Sequence, residues 1–183
     1  MIKQNSTLIT LFLILSTTLA LQAQEQIAIR PSPLAIVSAK YKDTYVKITY
    51  SQPQKKGREI FGSLVPFGQV WRTGANEATE ITITKDIFIS GKLLAAGTYS
   101  LFTIPEKEKW TIILNKEPGL WGSYNYNVKM DLMRFEVSAQ SMQNAVYEAF
   151  TIVIDQKNNK AEILLLWDKT KVAFPIDFIE PKL

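Results

Sequence analysis

The sequence predicts an all-β fold, an antiparallel β-sandwich or jelly-roll-like single domain behind a signal peptide, and three observations predict it. Apolar residues alternate with polar ones at a period of two through most of the chain. Roughly nine such runs recur at spacings near 8–12 residues, the rhythm of sandwiches and barrels. Helical periodicity is scarce.

The chain opens with a positive start, Met1-Ile2-Lys3, then polar Gln4 to Thr7, the apolar run Leu8 to Leu15, and small residues up to Ala23. That order is the pattern of an export signal. The run is too short, and too interrupted by Thr10, Ser16, Thr17 and Thr18, for a membrane span of about 20 apolar residues. Residues 1–23 are therefore expected to be removed, with Ala20 as the alternative cut and an uncleaved anchor as the rival outcome. Without a cysteine there is no N-terminal residue to lipidate, so the expected product is soluble, periplasmic or extracellular, with no transmembrane span after cleavage. Residues 24–33, Gln-rich and ending in Pro31-Ser32-Pro33, read as a polar leader, and residues 34–183 as one β-sandwich domain.

Thr44 to Ser51 sets Val46, Ile48 and Tyr50 on one face and Tyr45, Lys47 and Thr49 on the other. Ile81 and Ile83 alternate with threonines, Lys85-Asp86 offers a turn, and Ile87 and Ile89 resume the pattern, so a hairpin is expected there. Gly91 and Gly97 bracket a short connection before a strand Thr98 to Ile104, stopped by Pro105. Further strands are expected at Trp110 to Asn115, Leu132 to Ala139, Tyr147 to Asp155, Ala161 to Trp167 and Lys171 to Ile176. Asn158-Asn159 suits a hairpin loop, and residues 139–146 have room for a short helical turn. Trp110 and Trp167 fall on inward strand faces; for Trp167 the parity of Ile163 and Leu165 places it in the core.

Composition excludes more than it indicates. With no Cys and no His, disulfides, thiol nucleophiles, Ser-His-Asp relays and the common zinc, copper and iron–sulfur ligand sets are ruled out. No Asp-rich loop has calcium-binding spacing, so no metal and no cofactor is expected. The net charge of +4 is scattered along the chain, unlike the clustered basic stripe of a nucleic-acid binder. No phosphate-binding Gly-rich motif is present. The arginines Arg30, Arg58, Arg72 and Arg134 alone offer planar, two-pronged contacts to an acid.

Two segments break the alternation. Between Ser51 and Thr79, four of the eight glycines fall beside Arg58, Trp71, Arg72, Asn76 and Glu77. Long irregular loops in compact domains often carry function. In the competing reading, Ile60, Phe61, Leu64, Val65 and Phe67 pack the segment over an open end of the sandwich, and Arg58 or Arg72 ties loop carbonyls together. The second segment, Lys116 to Met130, places Trp121, Tyr124 and Tyr126 among glycines and amides, a mixture suited to a sugar ring or extended peptide and equally to a core lid.

The stretches KGREIFGSLVPFGQVWRTGANEAT, ISGKLLAAGTYSLFTIP, WGSYNYNVKMDLMRFEV and LLLWDKTKVAFPI resemble a family of exported bacterial proteins known as domain of unknown function 2911. The likeness covers most of residues 33–178, and its most specific element is W-R-T-G-A-N-E-A-T. It implies an envelope or secreted all-β domain and carries no activity with it.

The leading expectation is a non-catalytic domain binding a glycan or other polar envelope ligand between the two segments. Arg58, Arg72, Asn76 and Glu77 would supply polar contacts, and Trp71, Trp121, Tyr124 and Tyr126 would stack. The alternatives are a hydrolase using two carboxylates drawn from Glu59, Glu77, Glu80 and Asp131, and a structural component contacting another envelope protein through an edge or aromatic patch.

Overall fold

Strict alternation needs an apolar side and a wet one. Strand β2 (Thr44–Ser51) finds both, with Val46 and Ile48 wholly buried and Tyr45 exposed. The strands Gly97–Ile104 and Lys109–Asn115 are instead covered on both faces, Phe102 and Ile113 forming a second small core with Ala78. The computed structural model describes residues 29–180, and the β domain is taken from Pro31 onward. The expected signal peptide, residues 1–23, and the leader up to residue 28 lie outside the described residues.

The strands are β1 (Leu34–Tyr41), β2, β3 (Ala75–Ile83), β4 (Ile87–Ile89), β5 (Lys92–Leu94), β6 (Gly97–Ile104), β7 (Lys109–Asn115), β8 (Asp131–Ser141), β9 (Tyr147–Lys157), β10 (Lys160–Asp168) and β11 (Thr170–Phe178). A single 3₁₀ turn, Val128–Met130, precedes β8, and the described residues hold no α-helix. None of their elements is a helix long and apolar enough to cross a membrane.

Every strand pairing is antiparallel, in the order β1-β2-β3-β6-β7-β8-β11-β10-β9, with β4 added to β11 and β5 to β4. Strand β8 turns the corner between the two faces. Its residues up to Ser138 pair with β7, and Ala139 to Ser141 pair with β11. The path nearly closes on itself. Just past β2, Gln54 bridges Ala149 of β9, flanked by Lys55 N donating to Glu148 O at 2.6 Å and Phe150 N donating to Pro53 O at 2.9 Å. Deeper in, the Tyr50 hydroxyl accepts from Ile152 N at 3.0 Å. The result is an antiparallel sheet almost closed into a barrel-like sandwich, as the sequence predicts.

Three local expectations are corrected. Lys85-Asp86 is not a hairpin turn: β3 pairs with β2 and β6, while Ile87–Ile89 crosses to β11. Thr84 holds the end of β3 to β2, its N donating to Tyr45 O and its Oγ1 accepting from Tyr45 N. The tight turn lies at Ser90-Gly91 instead, both with φ above zero, the conformation that two-residue hairpins need. The connection before Gly97 contains β5. Residues 139–146 form no helical turn, because their amides are taken by neighbours: Ala139 N donates to Glu108 O and Met142 N to Lys169 O.

The core is centred on aromatic rings from distant parts of the chain. Phe61, Trp71, Trp110, Phe150 and Trp167 contact one another with centroid separations of 4.8–6.1 Å. Trp110 and Trp167 are each 2% exposed, in agreement with their strand parity.

Candidate functional site

The loop between β2 and β3 closes one end of this aromatic core. Ile60 and Val65 are buried, Val65 N donates to Ile60 O at 2.8 Å, and Gly62 N returns a bond to Val65 O at 2.9 Å. Phe61 then reaches Trp110, centroid to centroid, at 4.8 Å. Arg58 ties the loop's base, with Nε on Lys55 O at 2.9 Å and Nη2 on Gln54 O at 2.5 Å. Both features belong to the covering role weighed from sequence.

The following run, Trp71 to Thr79, is a turn built almost wholly from its own hydrogen bonds. Trp71 exchanges two backbone bonds with Thr103 of β6, at 2.7 and 2.9 Å, and its Nε1 donates to Gly74 O at 3.0 Å. The chain then reverses through Thr73 and Asn76, both near φ +55°. Thr79 closes the turn, its N donating to Arg72 O at 3.0 Å and its Oγ1 to Thr73 O at 2.6 Å. A β-carbon on Gly74 would lie 3.0 Å from Ser51 O and 3.1 Å from Thr79 Oγ1, so it would fit only if these neighbours gave way.

Beside this turn lies a cleft of about 310 Å³, within the range of small-molecule sites. Arg58, Arg72, Asn76 and Ser32 contribute polar groups to its wall, Trp71 and Trp167 contribute rings, and no carboxylate lines it. The Nε of Arg72 is buried and has no hydrogen-bond partner. Such a group inside protein costs more than a typical hydrogen bond gains. The Asn76 side-chain amide makes only long contacts, its Nδ2 lying 3.4 Å from both Ser32 O and Ser51 Oγ.

The tryptophan-tyrosine segment meets this region through backbone. Glu77 and Trp121 form an antiparallel bridge, Ala78 N donates to Leu120 O at 2.8 Å, and Gly122 N donates to Asn76 O at 2.9 Å. This contact exists because β3 slips against β2: Ser51 faces Ala75 while Thr49 faces Glu80, leaving extra residues of β3 to bulge toward the loop.

Of the eight residues singled out from sequence, Arg58, Trp71, Arg72 and Asn76 line the cleft. Glu77, Trp121, Tyr124 and Tyr126 do not. Glu77 accepts from Ser51 Oγ at 3.2 Å. Trp121 and Tyr124 are 57% and 82% exposed, away from the cleft. Tyr126 stands against Phe102 at 5.0 Å, donates to Asp131 Oδ2 at 2.6 Å and accepts from Arg134 Nη2. Burial, and after it the hydrogen bond to Asp131, pushes its phenol up to about 12. Sequence reasoning missed Ser32 and assigned Trp167 only to the core. Its inward parity was the available signal, since a core ring at a strand end also forms the floor of whatever opens above it.

The carboxylates fall elsewhere. Glu80 accepts from Gly119 N at 2.7 Å, and Asp131 accepts from Asn115, Tyr126 and Arg134. Glu59 lines a separate cleft of about 280 Å³ with Glu106 and Asp168, where Asp168 already pairs with Lys55 at 2.5 Å. A wider opening of about 480 Å³ lies among Asp43, Lys85, Asp86 and Glu180. There Lys85 pairs with Asp43, and Glu180 pairs with Lys42. No cluster of potential metal ligands occurs among the described residues.

A family model described as Protein of unknown function (DUF2911) matches residues 32–176. No curated protein matches, and no solved structure matches.

Proposed function

The chain belongs to that family, and from this premise we propose that it is an exported, non-catalytic binding domain, taking a glycan or other polar envelope ligand in the cleft beside Arg72. The observation that carries the reading is the Arg72 side chain, whose buried Nε has no partner in a cleft that also presents an amide and two indole rings. A guanidinium that no group of the described residues engages, on the wall of a cleft, leaves its charge and donors to a ligand. Export is supported by the order of charge, apolar run and small residues over positions 1–23.

Calorimetric titration of the mature protein with cell-wall and polysaccharide fragments tests the proposal. Arg72→Ala should abolish binding, while Trp121→Ala, outside the cleft, should leave it intact. If no fragment binds, or binding survives loss of Arg72, the reading fails.

A second reading has its own support. Trp121, Tyr124 and Val128 are all more than half exposed on one loop, an apolar surface suited to an envelope protein partner. Recovery of a stoichiometric partner from envelope extract, lost with Trp121→Ala, would favour it.

A further inference from the structure

The charges around the cleft narrow the ligand class. Its two charged wall residues are both arginines, whose planar cations carry forked donors. Arg58 is fixed from behind, because two of its donor nitrogens are occupied by Lys55 O and Gln54 O. Arg72 is fixed differently: its backbone carbonyl is tied to Thr79, and no hydrogen bond or ion pair engages its guanidinium among the described residues. Its buried Nε faces protein, while its two Nη groups form a fork that matches two oxygens of an oxyanion. A neutral hydroxyl can satisfy one donor but leaves the charge uncompensated.

Resting on the reading that this cleft binds a ligand, we infer that the recognised group is an oxyanion, gripped through two oxygens by Arg72, on a small acidic saccharide whose ring lies between Arg58 and Asn76. A carboxylate sugar and a sugar phosphate offer the same chemistry, and both meet a wall without an opposing carboxylate. With no group of the described residues engaging the Nη fork of Arg72, that fork has no internal bond to break on binding.

The test uses the mature protein with glucuronate, glucuronamide, glucose, glucose 1-phosphate and inorganic phosphate as probes, followed by calorimetry at two salt concentrations. The expected result is binding of glucuronate or glucose 1-phosphate at least about tenfold tighter than of glucuronamide and glucose, weakening with salt. Tighter glucuronate identifies the carboxylate source, and tighter glucose 1-phosphate the phosphate source. Arg72→Gln should remove that preference without lowering the melting temperature, and Arg72→Lys should recover less than a tenth of the affinity because a point charge lacks the fork. Equal binding of the acidic and neutral sugars would overturn the inference and leave the glycan-binding proposal standing. Preference for acids that persists in Arg72→Gln would assign it to diffuse surface charge and overturn it too. Binding of none of the probes, with none of the wall fragments binding either, would remove both.

Discussion

Trp71 and Trp167 stack nearly parallel, at an interplanar angle of 17° and a centroid distance of 5.8 Å, and both line the arginine cleft from below. One comes from the irregular loop and the other from the end of β10, so this stack is one of the aromatic contacts that join the lid to the barrel. Trp167 also meets Phe61 and Phe150 edge-on, at 6.1 and 5.8 Å. Trp167→Ala should therefore cost about 3–5 kcal/mol. Urea unfolding checks this, and a cost near that of a surface substitution would show that the stack is not a structural joint.

Gly74→Ala should destabilise by about 1–3 kcal/mol, because the added carbon crowds the Ser51 carbonyl and the hydrogen-bonded Thr79 hydroxyl. Gly57 has open space around the same position but sits at φ +69°, so Gly57→Ala should cost only about 1–2 kcal/mol. Comparing the two by chemical denaturation separates steric crowding from backbone strain.

Thr79→Val keeps the shape of a buried side chain and removes its bond to Thr73 O. Loss of that 2.6 Å contact should cost about 1–3 kcal/mol. It should also loosen the turn, read as faster hydrogen exchange at the Thr79 amide.

Tyr126 makes stability pH-dependent on the alkaline side. Folding raises its phenol above the ordinary value of 10, to about 12, so the folded state holds that proton more tightly than the unfolded chain. Its contribution is whole below about pH 10 and is lost as the pH climbs through about 12. Ultraviolet titration should show one tyrosine ionising near 12, and Tyr126→Phe should remove that step. If the step remains in the variant, another tyrosine carries it.

Mass spectrometry of the exported protein should find Gln24 at its N-terminus. An intact Met1 on the exported product would refute the assignment of a cleavable signal.

Period-two patterning made the β class readable, and inward parity alone placed Val46, Ile48, Trp110 and Trp167 in the core. Neighbour choice was not readable in the same way. Ile87 and Ile89 alternate identically whether they pair with β3 or with β11, and the choice fell to Thr84 being held by Tyr45 and to the turn at Ser90-Gly91. The candidate site was half legible. Arginine, glycine and tryptophan in one loop marked the cleft, but strand slippage at Asn76 joined the Trp121 loop by backbone while leaving its rings outside.

By itself the sequence determined the inward face of strands such as β2, which chemistries the absence of Cys and His rules out, and the Asn158-Asn159 turn. Only the tertiary structure decided which strands became neighbours, and that Arg72 would be left without a partner while Arg58 was fastened to carbonyls. The physical reason is range. Alternation and turn chemistry act between adjacent residues, whereas pairing register and the satisfaction of a buried donor depend on groups brought together from far along the chain.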